Sequence, residues 1–337
     1  MRRCLVLGLF IAGFAVFLPS VQAQTADSLD SAIARADETR KKAADFEGNL
    51  YFPSEWEAAE GQYTQAGLMS DDTGNAIRAY NEAADAFDRL SGLAIPLYAQ
   101  AREDEIMAIR GYLITLGIRR EFLEFLQDAD RTAVRAFTQY GAKDYSPARD
   151  SAAIALQKFN ILETAFNAWL IRMEIQERGF TAYDPDNFED GGKTLIAAMD
   201  AYKEGDLAGA RENAEEALSA YEMALSTAWA SHAELHSLLA EGERLAALDM
   251  KTDIAAGEFF RIADFDHKAA LDLLEAKQYE DAAKLFINAE AMFVIASITT
   301  LEKRRTAAAA IRNANEKIEE SEIIEKNAEI NNRGGIK

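Results

Sequence analysis

Small and aromatic residues recur along this chain at the spacing of one helix face. The segments Ala76-Tyr80-Ala83-Phe87, Ala148-Ala152-Ala155-Phe159, Ala210-Ala214-Ala217-Tyr221 and Ala282-Phe286-Ala289-Phe293 each run i, i+4, i+7, i+11. That spacing puts four side chains on one stripe of an α-helix. The copies are offset by 72, 62 and 72 residues, so the stripe is an internal repeat. A single hairpin cannot bury such a stripe alone, and the pattern therefore predicts stacked helical hairpins with no sheet.

Three copies share an upstream helix, marked by Ala136-Phe137-Tyr140, Ala198-Met199-Tyr202 and Ala270-Leu271-Leu274. A small residue there lets two helices approach closely, and its neighbour fills the groove beside it. Short turns lie between the paired helices: Lys143-Asp144-Tyr145-Ser146-Pro147, Gly205-Asp206-Leu207 and Lys277-Gln278-Tyr279-Glu280. In these residues the chain resembles the tetratricopeptide-repeat family, most closely over residues 193–224 and 265–296, less over 131–162 and for half a unit at 73–90. The units recur at 62–72 residues, against about 34 in that family. No proline closes the second helix, where Asn160, Glu222 and Val294 stand. The stripes run on instead, through Leu162-Phe166-Trp169-Met173 and Leu225-Ala228-His232-Leu235-Leu239. The resemblance implies an all-α array of long antiparallel hairpins, either a right-handed solenoid or an irregular helical repeat.

Around the repeats the pattern is helical almost throughout. A first helix spans 27–47, capped near Ser28 or Asp30. Leu50 to Trp56 then turns the chain, with Ser54 and Glu57 at capping-box spacing. This Tyr-Phe-Pro-Ser-Glu-Trp turn resembles short Ala-rich helical-hairpin proteins of bacterial envelopes, notably spirochaetal ones, over residues 27–66. Ile95-Pro96 starts a further long helix, with a break at Gly117. Residues 179–192 read as a non-helical linker, dividing N-terminal hairpins over 24–178 from C-terminal repeats over 193–327, with a flexible tail over 328–337.

Composition adds a destination. Arg2-Arg3, the apolar run Leu5 to Leu18 and Val21-Gln22-Ala23 predict a secretory signal peptide over residues 1–23, cut after Ala23; the alternative is an uncleaved N-terminal membrane anchor, for which the apolar run is short. Cleavage would remove Cys4, the only cysteine, so the exported chain would have no disulfide and no thiolate chemistry. It would also move the net charge from −21 to −23 by removing Arg2 and Arg3. A surface so acidic repels phosphate backbones and anionic lipid heads, which excludes nucleic acid as a partner. No stable membrane span is expected once the leader is gone.

Candidate chemistry is sparse. His232 and His236 stand one turn apart and can share a transition metal, but the intervening Glu234 is misplaced for a metalloprotease base, and a packed core imidazole is the ordinary reading. The run Asp184 to Gly192 is rich in oxygen ligands, yet Phe188 and Leu195 occupy positions where a calcium loop needs oxygen. Gly67-Leu68-Met69 matches a fragment of the lytic-transglycosylase signature without its upstream Glu-Ser or its following Gln. No metal, cofactor or catalytic set is expected. Tyr51, Trp56, Tyr112, Trp169, Tyr183, Phe188 and Trp229 fall outside the repeated register, and aromatic anchors of this kind mark binding surfaces. The expected function is a non-catalytic scaffold of the periplasm or cell envelope that binds a protein or another envelope component in a groove between hairpins. The alternative is a ligand-handling accessory of a periplasmic solute transporter, like the tetratricopeptide partners of such systems.

Overall fold

The computed structural model describes residues 28–69 and 72–334, with side chains as far as Ala328. The signal-peptide expectation at 1–23 lies outside the described residues. Among the described residues there is no strand, and the chain is all-α. The helices are α1 (Leu29–Asp45), α2 (Gly48–Tyr51), α3 (Pro53–Leu68), α4 (Thr73–Thr115), α5 (Leu123–Gly141), α6 (Tyr145–Glu177), α7 (Pro185–Glu204), α8 (Leu207–Asp249), α9 (Thr252–Ala255), α10 (Gly257–Glu275) and α11 (Tyr279–Gly334). Single 3-10 turns stand at Arg120–Phe122 and Phe180–Ala182.

All sixteen residues of the repeated stripe are buried, none more than 8% exposed. The turns repeat as well. Lys143, Gly205 and Lys277 end their helices in the left-handed region, at φ of 63°, 82° and 59°. After each, the next backbone N–H returns to a carbonyl five residues back: Asp144 to Gln139 at 2.9 Å, Asp206 to Ala201 at 3.0 Å and Gln278 to Leu273 at 2.9 Å. This is the Schellman closure, which satisfies the last carbonyls of the helix. The turn residues carry the same offsets of 62 and 72 as the last three stripes, so these three repeats share a backbone corner together with a buried face.

The chain divides into two compact units: the described part of Met1–Met107 with Ala133–Ala153, and Ala108–Thr132 with Ile154–Lys337. In the first, α1, α3 and α4 share a layered core. Ala32 and Ala36 meet Ala66, Tyr80 and Ala84. Ala43 meets Ala59, Phe87 and Leu90. Phe46 closes against Ala94, Ile95 and Tyr98. This order makes α1 parallel to α4 and sets α3 against both. Pro96 does not begin a helix but lies inside α4. Its buried neighbours Ala94, Ile95 and Tyr98 hold the segment in place, and this packing offsets the lost backbone bond. Ser54 does not cap α3 either, because Pro53 takes the first helical position and Phe52 precedes it.

In the second unit α7 packs along α8, and α11 packs against both α8 and α10. The expected non-helical linker at 179–192 is corrected here, and the whole segment lies within this unit. Only a short corner separates α6 from α7, since Pro185 starts a helix. The Asp184 side chain caps it by accepting from the Asn187 N–H at 3.2 Å. Gly191 and Gly192 are helical positions where α7 crosses Tyr221, not loop residues. The tail expected from 328 is helical as far as Gly334, because nothing in the preceding sequence breaks α11.

Candidate functional site

Accessible polar groups gather over two aromatic rings in the second unit, where the start of α5 meets the end of α7. Glu124, Phe125, Asp128, Arg131, Tyr202 and Lys203 line a groove of about 340 Å³. Its floor is aromatic. Phe125 and Tyr202 are each 5% exposed and meet edge to face at 5.3 Å. The Tyr202 hydroxyl donates to the Phe125 carbonyl at 3.3 Å, which orients the ring and satisfies its buried polar end. Cations cover both rings: Lys203 Nζ lies 5.1 Å from the Phe125 centroid and Lys158 Nζ 5.7 Å from that of Tyr202.

Each charge in the groove has a partner. Lys158 donates to Asp128 at 2.5 Å and to Thr132 at 3.1 Å. Arg131 reaches Asp128 at 3.1 Å, and Lys203 reaches Glu124 at 3.2 Å. Burial alone would raise the Asp128 carboxyl. The bonds from Lys158 and Arg131 outweigh it and hold the group below the usual carboxylate range. Burial pushes the Tyr202 phenol well above its ordinary value, and the nearby Asp128 charge adds to the shift. An Asp128 carboxylate held ionised and a Tyr202 phenol held neutral suit recognition over an aromatic floor rather than proton transfer, because both shifts lead away from neutral pH.

A smaller cleft of about 210 Å³ lies between α6 and α8, lined by Gln157, Asn160, Ile161, Leu207, Ala208 and Arg211.

The aromatics singled out from sequence enter packing clusters. Trp169 stacks on Phe166 at 5.6 Å, with Phe122 at its edge and Arg119 over its face at 5.3 Å. Trp229, 6% exposed, packs against Phe180 at 5.0 Å beneath Arg178. Tyr183 meets the same Phe180 ring and stays 40% exposed. Phe188 meets Tyr221 at 5.6 Å. Tyr112 bonds Asn167 at 3.1 Å. In the first unit Trp56 packs against Phe87 at 5.3 Å, and Tyr51 joins the Phe46 cluster.

His232 and His236 lie side by side, ring centroids 4.6 Å apart, and His236 Nδ1 is 3.0 Å from Glu290 Oε2. Phe180 and Trp229 enclose His232, whose pKa burial lowers, with His236 and Arg178 acting in the same direction. Among the described residues no group of three or more His, Cys, Asp or Glu side chains is placed to hold a metal. The acidic run after Asp184 does not close into a loop: Asp184 caps α7, while Glu189 and Asp190 pair with Lys193 at 3.0 and 3.1 Å.

The sequence does not single out the groove residues. Glu124, Asp128, Arg131 and Lys203 look like solvated helix surface in the sequence. The one available signal was Tyr202, an aromatic of the repeated upstream helix.

No protein-family model matches the chain, and no curated protein or solved structure does. Among the described residues one helix, Tyr279–Ala328, is long and apolar enough to cross a membrane, with a window of mean hydropathy 1.4 that is 33% buried. Its buried side chains Ala282, Phe286, Ala289, Phe293 and Ala296 belong to the face that packs on α8 and α10.

Proposed function

We propose that this chain is an exported, non-catalytic, tetratricopeptide-like helical-repeat scaffold that binds a protein of the cell envelope in the groove between α5 and α7. The carrying observation is the pair of cation-covered rings, Phe125 beneath Lys203 and Tyr202 beneath Lys158, rimmed by charges of both signs. An aromatic floor with a polar rim is the anatomy of a binding hot spot. The cations also stand out on a chain of net charge −21, and they favour a segment carrying acidic side chains beside an apolar anchor. The transporter-accessory reading rests on the cleft beside Arg211. Its volume of about 210 Å³ lies below the roughly 300–1,000 Å³ of ordinary small-molecule sites, so it stands second.

The test is affinity capture from envelope extract with the wild-type chain and with Lys203→Glu. Lys203 is exposed, and its reversal leaves the buried rings in place. A partner retained by the wild type and lost by the variant supports the groove. Equal retention by both, or hydrolytic activity in the purified chain, overturns the reading.

A further inference from the structure

The last part of α11 leaves the packed body. Thr300 is its last buried residue, and from Leu301 to Ala328 every side chain but Ala309 is exposed. At 1.5 Å per residue this is a helix about 40 Å long with no neighbour along it among the described residues. Isolated helices are marginal in water, and a helix of this length ordinarily has a partner along one face. The first turn is tied down: Lys303 donates to the Ala255 carbonyl at 2.6 Å, and Arg304 donates to that of Met250. Beyond it, Ala307, Ile311, Ala314, Ile318 and Ser321 alternate four and three residues apart. That is a heptad stripe of alternating small and branched positions, and Ile311 and Ile318 on it are 61% and 56% exposed.

Charge on this helix is segregated. Residues 303–312 hold Lys303, Arg304, Arg305 and Arg312 with no acid, whereas 316–325 hold five glutamates and one lysine. A parallel pair of such helices would set like charge beside like charge. An antiparallel pair sets each basic half beside an acidic half and keeps the apolar stripe in register. Pairing about Ala314 sets Ala307 of one copy level with Ser321 of the other and leaves Ile311 of each copy within one residue of the level of Ile318 in its partner. It also holds the two packed bodies at opposite ends of the pair.

We propose that the free end of α11 is a self-association helix, through which two copies of this chain pair antiparallel with Ala314 at the twofold axis. The seam is short, about 21 Å from Ala307 to Ser321, so the dimer is weak and depends on concentration. This inference is independent of the groove between α5 and α7.

Sedimentation velocity of the full chain over a wide concentration range tests it. The expected result is a monomer that converts to a dimer as concentration rises, with added salt weakening the dimer. Ile311→Lys with Ile318→Lys should weaken association by about tenfold or more while the helical signal stays constant, since both residues are exposed in the monomer. Orientation is read by crosslinking in a Cys4→Ser background. Chains carrying Ala307→Cys and chains carrying Ser321→Cys should form a disulfide when mixed and not when alone. A monomer at every concentration overturns the proposal, as does a dimer indifferent to the two lysines. Self-crosslinking of Ala307→Cys would show a parallel pair instead. Flotation of the chain with phosphatidylcholine vesicles, abolished by the two lysines in the absence of any dimer, would make lipid the occupant and equally overturn it.

Discussion

Gly191 on α7 lies directly under the ring of Tyr221 on α8. A Cβ built on Gly191 would come within 3.0 Å of the ring carbons, and Tyr221 is wholly buried. The missing methyl is what allows the two helices to approach so closely, although glycine inside a helix costs about 1 kcal/mol relative to alanine. Gly191→Ala is therefore expected to destabilise the chain by about 1–3 kcal/mol, opposite in sign to its helix propensity. Urea denaturation decides it, and a variant as stable as wild type would mean that Tyr221 can move aside.

Ala214, on the same helix, is 0% exposed and stands at the centre of its stripe. Ala214→Arg would place a long charged side chain in the contact between helices. The expected loss is about 3 kcal/mol or more, from overpacking and an unpaired buried charge. Thermal melts check it, with Arg211→Ala as a surface control that should lie within about 0.5 kcal/mol of wild type.

Lys277 holds the left-handed turn position that Gly205 holds in the preceding repeat. A lysine there carries backbone strain that glycine does not. Lys277→Gly is expected to raise stability by about 0.5–1 kcal/mol, and Gly205→Ala to lower it by a similar amount. A fall in melting temperature for Lys277→Gly would show that the turn is not strained.

His267 is 6% exposed between α10 and α8, with its Nε2 3.5 Å from Glu241 Oε2. Burial lowers its pKa below 6.5, and Glu241 only partly opposes this amid Arg244, Asp264 and Lys268. Below pH 6.5 the unfolded chain takes up a proton that the folded chain refuses. Stability is thus lost as pH falls from neutrality toward the lowered folded value, and His267 adds no further change beneath it. Denaturation midpoints at pH 7.5 and 5.5 should drop more for wild type than for His267→Gln. Equal drops would assign the acid sensitivity to the carboxylates.

Much of the fold was legible because helix periodicity and small-residue stripes are local. The sixteen stripe residues could be read as one helix face from their spacing, without a partner helix in view. Segment 179–192 reads as a linker, and folds as a corner and a helix, for the converse reason. Gly191 and Gly192 look like loop punctuation, and only the ring of Tyr221, some thirty residues away in the chain, makes them helix-packing residues. Pro96 misled in the same way, since the packing that holds it inside α4 comes from Phe46 and its neighbours on another part of the chain.

The groove lay furthest from view. Asp128, Lys158 and Tyr202 are separated by 30 and 44 residues, and each alone is an ordinary helix-surface or core residue. Periodicity says which face of a helix is apolar and which is wet. It says nothing about which wet faces meet. The all-α character, the repeat and the acidity follow from the order of residues alone, because they arise from spacing and composition. The cation-covered rings, the glycine seat under Tyr221 and the unaccompanied end of α11 follow from long-range packing, which sets side chains beside one another that local rules never compare.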